Sequence, residues 1–394
     1  MTLVNFKGAT KARRRLRLGM VGGGEGAFIG AIHRMAARLD DRYEFVAGAL
    51  CSDPDRARRS ALDLGIAPDR AYGSFAEMAR EEKRRADKID VVAIVTPNNA
   101  HVAPAKAFLA AGIHVICDKP LATTLKEALG LAAAVERSGL VFGLTHNYTG
   151  HPMVRQAREM VAAKQLGRLR IVQVEYPQDW LTTPLERKGN KQAAWRTDPK
   201  RSGRAGSLGD IGTHAYNLAC FVSGLRCEAV AGDLSTFVPG RRVDDNVQVL
   251  MRFAGGARGM LWASQVAVGN ENNLKLRIYG EKAGLEWRQE DPNYLWLTPY
   301  GETPRRISRA GAGTTPAAAH AARFPAGLPE GYIEAFAQLY TDLAEQIFAR
   351  LERRRCDPAA RLVPGIAEGV EGMRFVEAAL ASARRNAAWV KIAG

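Results

Sequence analysis

Within the segment Gly203-Arg204-Ala205-Gly206-Ser207-Leu208-Gly209-Asp210-Ile211-Gly212-Thr213-His214, an acid and an imidazole lie four residues apart. On a helix that spacing puts Asp210 and His214 on one face. A neutral imidazole takes a hydroxyl proton, and a carboxylate orients the hydroxyl or the imidazole. The glycines before them let the helix start pack closely against a ligand. A capping aspartate beside a structural histidine would be spelled the same way, so the pair must be read with its companions. Two short motifs supply them. Thr96-Pro97-Asn98 follows the apolar run Val91–Val95, and Asp118-Lys119-Pro120 follows Val115–Cys117. Carboxyl ends of parallel strands are where open α/β sheets bind ligands. A lysine fixed there by a following proline points into the cleft, although a solvated surface lysine is the plainer reading.

A third motif is the loop Gly22-Gly23-Gly24-Glu25-Gly26-Ala27-Phe28-Ile29-Gly30, between an apolar run and a helical pattern. Gly22, Gly24 and Ala27 fit the G-x-G-x-x-[G/A] spacing of a dinucleotide loop. Glycines let the backbone approach a pyrophosphate, and the next helix offers unpaired N–H groups and its positive dipole end. At the end of the second strand an acid is expected to hold the ribose 2′-hydroxyl. The chain has Cys51-Ser52-Asp53 there, with Asp53 one or two places late. A cap on the next helix is the alternative reading of Asp53, and Arg56 could assist a 2′-phosphate. The cofactor expected is NAD(H) or NADP(H), with a mild lean to NAD(H).

The elements that must position these groups follow from periodicity. Leu18–Val21, Phe45–Leu50, Val91–Val95, Val115–Cys117 and Val141–Leu144 read as buried strands. Ile29–Leu39, Arg56–Leu64, Val102–Ala111 and Leu125–Ser138 carry apolar residues at helical spacing. Such alternation implies a parallel sheet covered on both faces. After Tyr148 the pattern changes. A helix at Met153–Lys164 leads to a strand at Arg170–Tyr176, a polar loop from Gln178 to Arg204 and a helix at Ser207–Val222. Strands follow at Glu228–Phe237, Asn246–Phe253, Arg258–Gln265, Leu274–Tyr279, Gly284–Glu286 and Leu295–Leu297. Short turns between them imply a largely antiparallel sheet. Ala310–Ala322 reads as a loop with weak helical tendency, and helices at Tyr332–Leu351 and Ile366–Arg385 close the chain. Two domains are expected, 1–148 and 149–394, with the C-terminal helices able to pack back on the first.

The chain has 394 residues, enough for two domains with cores of their own. Its net charge of +15 would suit nucleic acid or an anionic surface, but the arginines are spread along the chain and no nucleic-acid motif accompanies them. No nucleic-acid partner, membrane span or metal is expected. Five scattered cysteines without C-x-x-C spacing read as reduced thiols of a cytoplasmic protein. The basic run Lys11–Arg17 superficially resembles an export signal, but its apolar part is short and leads straight into the glycine loop.

Taken together, the glycine loop, Thr96-Pro97-Asn98, Asp118-Lys119-Pro120, Gly209-Asp210-Ile211-Gly212-Thr213-His214 and Ile278-Tyr279-Gly280-Glu281-Lys282-Ala283-Gly284 resemble the Gfo/Idh/MocA family of oxidoreductases, which includes glucose–fructose oxidoreductase and inositol dehydrogenases. The resemblance implies an N-terminal α/β Rossmann domain and a C-terminal α+β domain with an open, largely antiparallel sheet that often supports homodimers or homotetramers. It implies catalytic roles for Lys119, Asp210 and His214. It implies cofactor contacts from Gly22, Gly24, Ala27, Phe28, Ile29, Cys51, Ser52, Asp53, Arg56, Thr96, Pro97, Asn98, His101, Asp118 and Lys119. The segments holding Gln178, Trp195, Arg196 and Asn272 are similar to the sugar-pocket segments of levoglucosan dehydrogenases. With Asn147 and Tyr148 they are the expected substrate contacts, alongside Lys119, Asp210 and His214. Three departures stand out: Asp118 where the family usually has glutamate, a glycine loop longer by about three residues, and Thr149-Gly150 in place of an arginine pair. The function expected is NAD(P)-dependent interconversion of a secondary hydroxyl and a ketone on a sugar, anhydrosugar or inositol. Reduction of another carbonyl or alkene and a nicotinamide-sensing regulator are the rival readings. A regulator would not need Lys119, Asp210 and His214.

Overall fold

A computed structural model describes residues 14–393. Lys11, Ala12 and Arg13 of the basic run, and with them much of the export-signal reading, lie outside the described residues. The chain begins β1 (Leu16–Gly22), α1 (Phe28–Leu39), β2 (Tyr43–Ala49), α2 (Pro54–Asp63), α3 (Phe75–Arg84), β3 (Val91–Val95), α4 (Val102–Ala110), β4 (His114–Cys117), α5 (Leu125–Ser138) and β5 (Phe142–Leu144). These strands form a parallel sheet in the order β2-β1-β3-β4-β5. Every residue of β3 is buried, as a strand covered on both faces requires. The order reverses between β1 and β3, so a crevice opens there at the carboxyl ends. The periodicity reading passed over α3, whose start carries a clear signal. Ser74 accepts the Glu77 N–H at 3.2 Å while Glu77 reaches back to the Gly73 N–H at 2.8 Å, a capping box in all but one position.

The second half runs α6 (Pro152–Ala162), β6 (Leu169–Pro177), α7 (Lys191–Arg196), α8 (Pro199–Ser202), α9 (Thr213–Ser223), β7 (Cys227–Ser235), β8 (Asn246–Phe253), β9 (Arg258–Ser264), β10 (Lys275–Gly280), β11 (Ala283–Arg288), β12 (Tyr294–Pro299), β13 (Arg305–Ser308), α10 (Pro316–Ala321), α11 (Tyr332–Leu351), α12 (Ile366–Ala383) and β14 (Val390–Lys391). Nine strands join in the order β13-β12-β11-β10-β6-β9-β8-β7-β14, antiparallel except for β6 with β9. Alternation is clean: Val247, Val249, Met251 and Phe253 are buried while Gln248, Leu250 and Arg252 are exposed. The expected polar loop from Gln178 to Arg204 instead holds α7 and α8, each begun by a side-chain cap, from Asn190 and Asp198. The expected helix at Ser207–Val222 is present and continuous, with a wider π-type turn at Leu208–Gly212 that runs directly into α9. Strands β13 and β14 are further additions.

The chain divides into two compact units. One comprises the described residues up to Ala122 with Lys126–Gly150 and Tyr332–Val370; the other comprises Thr123–Leu125, His151–Gly331 and the described residues from Glu371 on. A single border at 148 does not divide off the returning segment Tyr332–Val370. Helix α11 belongs to the first unit because its apolar face, with Phe336, Leu343 and Ile347, shares a core with Leu16, Leu18, Met20 and Val91. Its Tyr340 hydroxyl lies 2.8 Å from His33 Nδ1, and its Tyr340 carbonyl accepts the Tyr43 hydroxyl at 2.7 Å. No described helix is long and apolar enough to cross a membrane.

Several imidazoles are buried in this fold. Burial holds His33 and His114 down to about 4, and His146 and His151 down to about 3, against an ordinary value of 6.5. The unfolded chain therefore takes up protons first as the pH falls, and stability present above pH 6.5 is lost on the way to pH 4. Each proton taken up on unfolding contributes a slope of about 1.4 kcal/mol per pH unit. The melting temperature should fall steadily between these values, measured by calorimetry; an unchanged melting temperature from pH 7 to about 4.5 would contradict the buried neutral imidazoles.

Candidate active site

The nucleotide end is built by the β1–α1 connection. Gly22, Gly23 and Gly26 have φ of 79°, 76° and 71°, which carry the chain round ahead of α1. Ala27 precedes α1 without a side-chain cap, no acid lies in the first turn, and Phe28 at the helix start is 63% exposed. A helix start of this kind suits a phosphate. The longer loop shifts one role. The third small residue of the spacing, assigned to Ala27, should let helix and loop approach closely; here Gly30 does so, since a Cβ on it would lie 2.4 Å from Gly23 Cα. Gly24 packs against the end of β2: its N–H donates to the Leu50 carbonyl at 3.0 Å, and a Cβ would sit 2.7 Å from that oxygen. Asp53 is the cap of α2, accepting the Arg56 N–H at 2.8 Å. Arg56 in turn lies 3.9 Å from Glu25, so its charge has an acidic neighbour. Cys51 is partly exposed and Ser52 exposed beside it.

Lys119 and Asp118 end β4 and are half-buried. Asp118 accepts the Thr145 hydroxyl at 2.7 Å and lies 4.0 Å from His33 Nε2. His146 is buried nearby; burial, then the Lys119 charge, lower its pKa, with Asp118 opposing. His101 departs from its expected place against the cofactor. It is fully buried, with Nδ1 2.8 Å from the Pro120 carbonyl and Nε2 2.9 Å from the Thr96 carbonyl. Both ring nitrogens are spent on backbone, which leaves none for a ligand. Thr96 donates its hydroxyl to the Ala100 carbonyl, and Asn98 is buried in the turn between them. Asn147 and Tyr148 are buried beyond β5, and Asn147 Nδ2 has no hydrogen-bond partner among the described residues.

In the second unit most of the sugar-pocket candidates are hydrogen-bonded to one another. Asp210 lies in the π-type turn and His214 in the first turn of α9, four residues on along the same continuous helix. Asp210 Oδ2 accepts from Arg196 Nε at 3.1 Å and from Gln265 Nε2 at 2.9 Å. The Arg196 guanidinium lies over Trp195, 4.2 Å from the ring centre, and donates to Gln192 Oε1 at 2.8 Å. His214, 8% exposed, meets the edge of the Tyr176 ring. The Tyr176 hydroxyl and Gln178 Nε2 both donate to Asn272 Oδ1 at 2.7 Å, and Trp180 Nε1 donates to Gln178 Oε1 at 3.0 Å. Gln178, Trp195, Arg196, Asp210 and Asn272 thus stand in two hydrogen-bonded groups. Sequence reasoning did not single out Gln265 or Asp244. Asp244 is buried and accepts from Gly206 N, Ser207 Oγ and Leu208 N, each at 2.7 Å. Burial raises its pKa and these donors oppose the rise. The adjacent acids Asp244-Asp245 before a clean alternating strand were the available signal.

Comparison with known proteins gives two family matches. Residues 16–146 match the model described as an oxidoreductase family with NAD-binding Rossmann fold, and residues 154–286 match the GFO/IDH/MocA C-terminal domain. An oxidoreductase from Sinorhizobium meliloti of solved structure is 55% identical, with a TM-score of 0.88 over 96% of this chain and 100% of that one. An inositol dehydrogenase homologue from Azotobacter vinelandii, solved in complex with NAD+, is 36% identical, with a TM-score of 0.93 over 99% and 100% of the two chains. Levoglucosan dehydrogenase of Pseudarthrobacter phenanthrenivorans is 30% identical over 70% of this chain and 74% of its own length.

The two close glycine contacts can be separated experimentally. Gly30→Val drives a branched side chain into the Gly23 backbone, and Gly24→Val drives one into the Leu50 carbonyl. Each variant should weaken NAD(H) binding at least tenfold by fluorescence titration while the far-ultraviolet dichroism stays native. Wild-type affinity in folded Gly30→Val would show that the loop does not meet the pyrophosphate.

Proposed function

The chain belongs to the GFO/IDH/MocA oxidoreductase family and carries its NAD-binding Rossmann domain, and we propose that it oxidises a secondary hydroxyl of an uncharged cyclic polyol, a sugar, anhydrosugar or inositol, to the ketone. The observation that carries this reading is Asp210, held by Arg196 and Gln265 beside the Gln178–Asn272–Tyr176 group. Amide, carboxylate and guanidinium groups so arranged are hydroxyl binders, and Trp195 and Trp180 offer apolar faces to a sugar ring. The relatives named for levoglucosan and inositol act on, or are homologous to proteins that act on, ring polyols. The half-buried position of Asp210, 15% exposed, and of Arg196, 22% exposed, supports contact with a small ligand.

The nicotinamide, when bound, takes up the hydride from the carbinol carbon. His214 is the group suited to take the hydroxyl proton and Asp210 to orient a neighbouring hydroxyl, and Lys119 keeps the catalytic role that the family resemblance implies. Asn147 Nδ2 is a further donor suited to a hydroxyl. The exposed face of the nine-stranded sheet, where Leu250 and Met260 pair in register at 50% and 42% exposure, supports a homodimer or homotetramer.

A panel of inositols, aldoses and anhydrosugars with NAD+ and NADP+, followed at the absorbance of the reduced cofactor, tests the reading; no turnover of any member would overturn it. His214→Ala and Lys119→Ala should each lose about 10²–10⁴ in kcat while keeping cofactor affinity. Near-wild-type turnover by either variant would remove that residue from the mechanism.

Cofactor choice should be loose, leaning to NAD(H), because Asp53 is spent on a helix cap and Arg56 faces Glu25. The ratio of kcat/KM for the two cofactors should stay within about a thousandfold, or ~4 kcal/mol. A larger ratio would reveal a discriminating contact elsewhere.

A further inference from the structure

The expected cofactor contact leaves the burial of His101 unexplained. The ring is fully buried, and its two nitrogens reach carbonyls of two different strand-end loops, Thr96 after β3 and Pro120 after β4. Its own backbone is held firmly: the His101 N–H donates to the Asn98 carbonyl at 3.4 Å, and its carbonyl accepts the Ala105 N–H at 3.2 Å in the first turn of α4. A neutral ring donates to one of the two carbonyls and a protonated ring to both. In either form its rigid outline spans the gap between the loops.

We propose that His101 is a positioning residue for Lys119, tying the Pro120 carbonyl next to that lysine to the loop that ends β3. The inference rests on the reading of Lys119 as a group that acts on the substrate. Lysine has a long, flexible stem, so the placement of its amine depends on how firmly its backbone is held. Misplacing a catalytic group by about 1 Å can cost on the order of 10² in rate. Asp118 is fixed on the other side by the Thr145 hydroxyl, so Lys119 stands between two anchored neighbours. Loss of the imidazole frees one of them and leaves two carbonyls without their shared partner. The expected defect is in turnover, with cofactor binding intact.

His101→Phe removes both contacts at similar size, and His101→Gln keeps one donor. Each is made in the wild type and in Lys119→Ala, and kcat, the affinity for NADH and the rate of Lys119 labelling by an amine-reactive reagent are measured. His101→Phe should lower kcat ten- to a hundredfold with NADH affinity changed less than threefold, and His101→Gln should recover part of the loss. In the Lys119→Ala background the same change should cost less than twofold. An equal loss in both backgrounds overturns the proposal, as does NADH affinity falling in step with kcat, which would make His101 a cofactor contact. If wild-type protein turned over no polyol, the functional reading would fail by itself. Labelling would still decide: a rate at Lys119 shifted severalfold by His101→Phe supports the clamp, and an unchanged rate overturns it. If His101→Phe does not fold, His101→Gln carries the same comparisons.

Discussion

Asp244 is almost wholly removed from water, and its two carboxylate oxygens take three hydrogen bonds, from the Gly206 and Leu208 N–H groups and the Ser207 hydroxyl. The start of a helix leaves N–H groups without intrahelical partners, and its partial positive charge favours an anion. Asp244 answers both needs at the turn that leads into α9. Its neighbour Asp245 accepts the Phe237 and Val238 N–H groups and pairs with buried Arg241. The Asp245 carbonyl accepts the Gln265 N–H at 2.8 Å, and the Gln265 amide holds Asp210. Two adjacent residues at the start of β8 therefore fix both the backbone that carries Asp210 and the side chain that aims it. Without Asp244, several buried donors would lack acceptors at once, each costing roughly 1–3 kcal/mol.

The first unit places its groups by a different device. Buried imidazoles stand around the Asp118–Lys119 end of β4: His33 4.0 Å from Asp118, His101 on two carbonyls, and His146 behind. Burial keeps His33 and His146 neutral down to about 4 and about 3. These rings supply shape and directed hydrogen bonds. Helix α11 contributes Tyr340 to the same arrangement from more than two hundred residues away in sequence.

How much of this was legible depends on the range of the interaction. The parallel sheet was, because five buried apolar runs alternate with helical periodicity; Val91–Val95 and Leu125–Ser138 match their observed bounds. Asp210, His214 and Lys119 stood out as residue types within short motifs, and the chemistry assigned to them is the proposal made above. The turn geometry was not legible. The start of the π-type turn at Leu208–Gly212 donates to Asp244, more than thirty residues on, and no local pattern encodes that contact. Likewise the extra residues of the glycine loop hid the role of Gly30, since only the folded approach to Gly23 shows which small residue meets the backbone. His101 was expected against the cofactor on the family resemblance alone. Its burial between two carbonyls depends on β3 and β4 being neighbours in the sheet. Helix α3 and the caps of α7 and α8 were local and could have been found from Ser74, Asn190 and Asp198.

Charge balance joins these points to the choice of substrate. A net charge of +15 would suggest an anionic ligand if it reached the pocket. The arginines nearest the proposed chemistry are compensated. Arg196 pairs with Asp210 at 3.1 Å, and Arg241 pairs with both Glu186 at 3.1 Å and Asp245 at 3.2 Å. A phosphorylated or carboxylated sugar would have to compete with Asp210 for the Arg196 guanidinium, and would bring a second negative charge beside a half-buried carboxylate. A neutral hydroxyl can instead donate to Asp210 or accept from Arg196 without separating the pair, while Trp195 stacks on the guanidinium and holds it flat. Buried ion pairs lose most when one partner is drawn away. The Asp210–Arg196 pairing thus supports the proposal of a substrate with many hydroxyls and no charge.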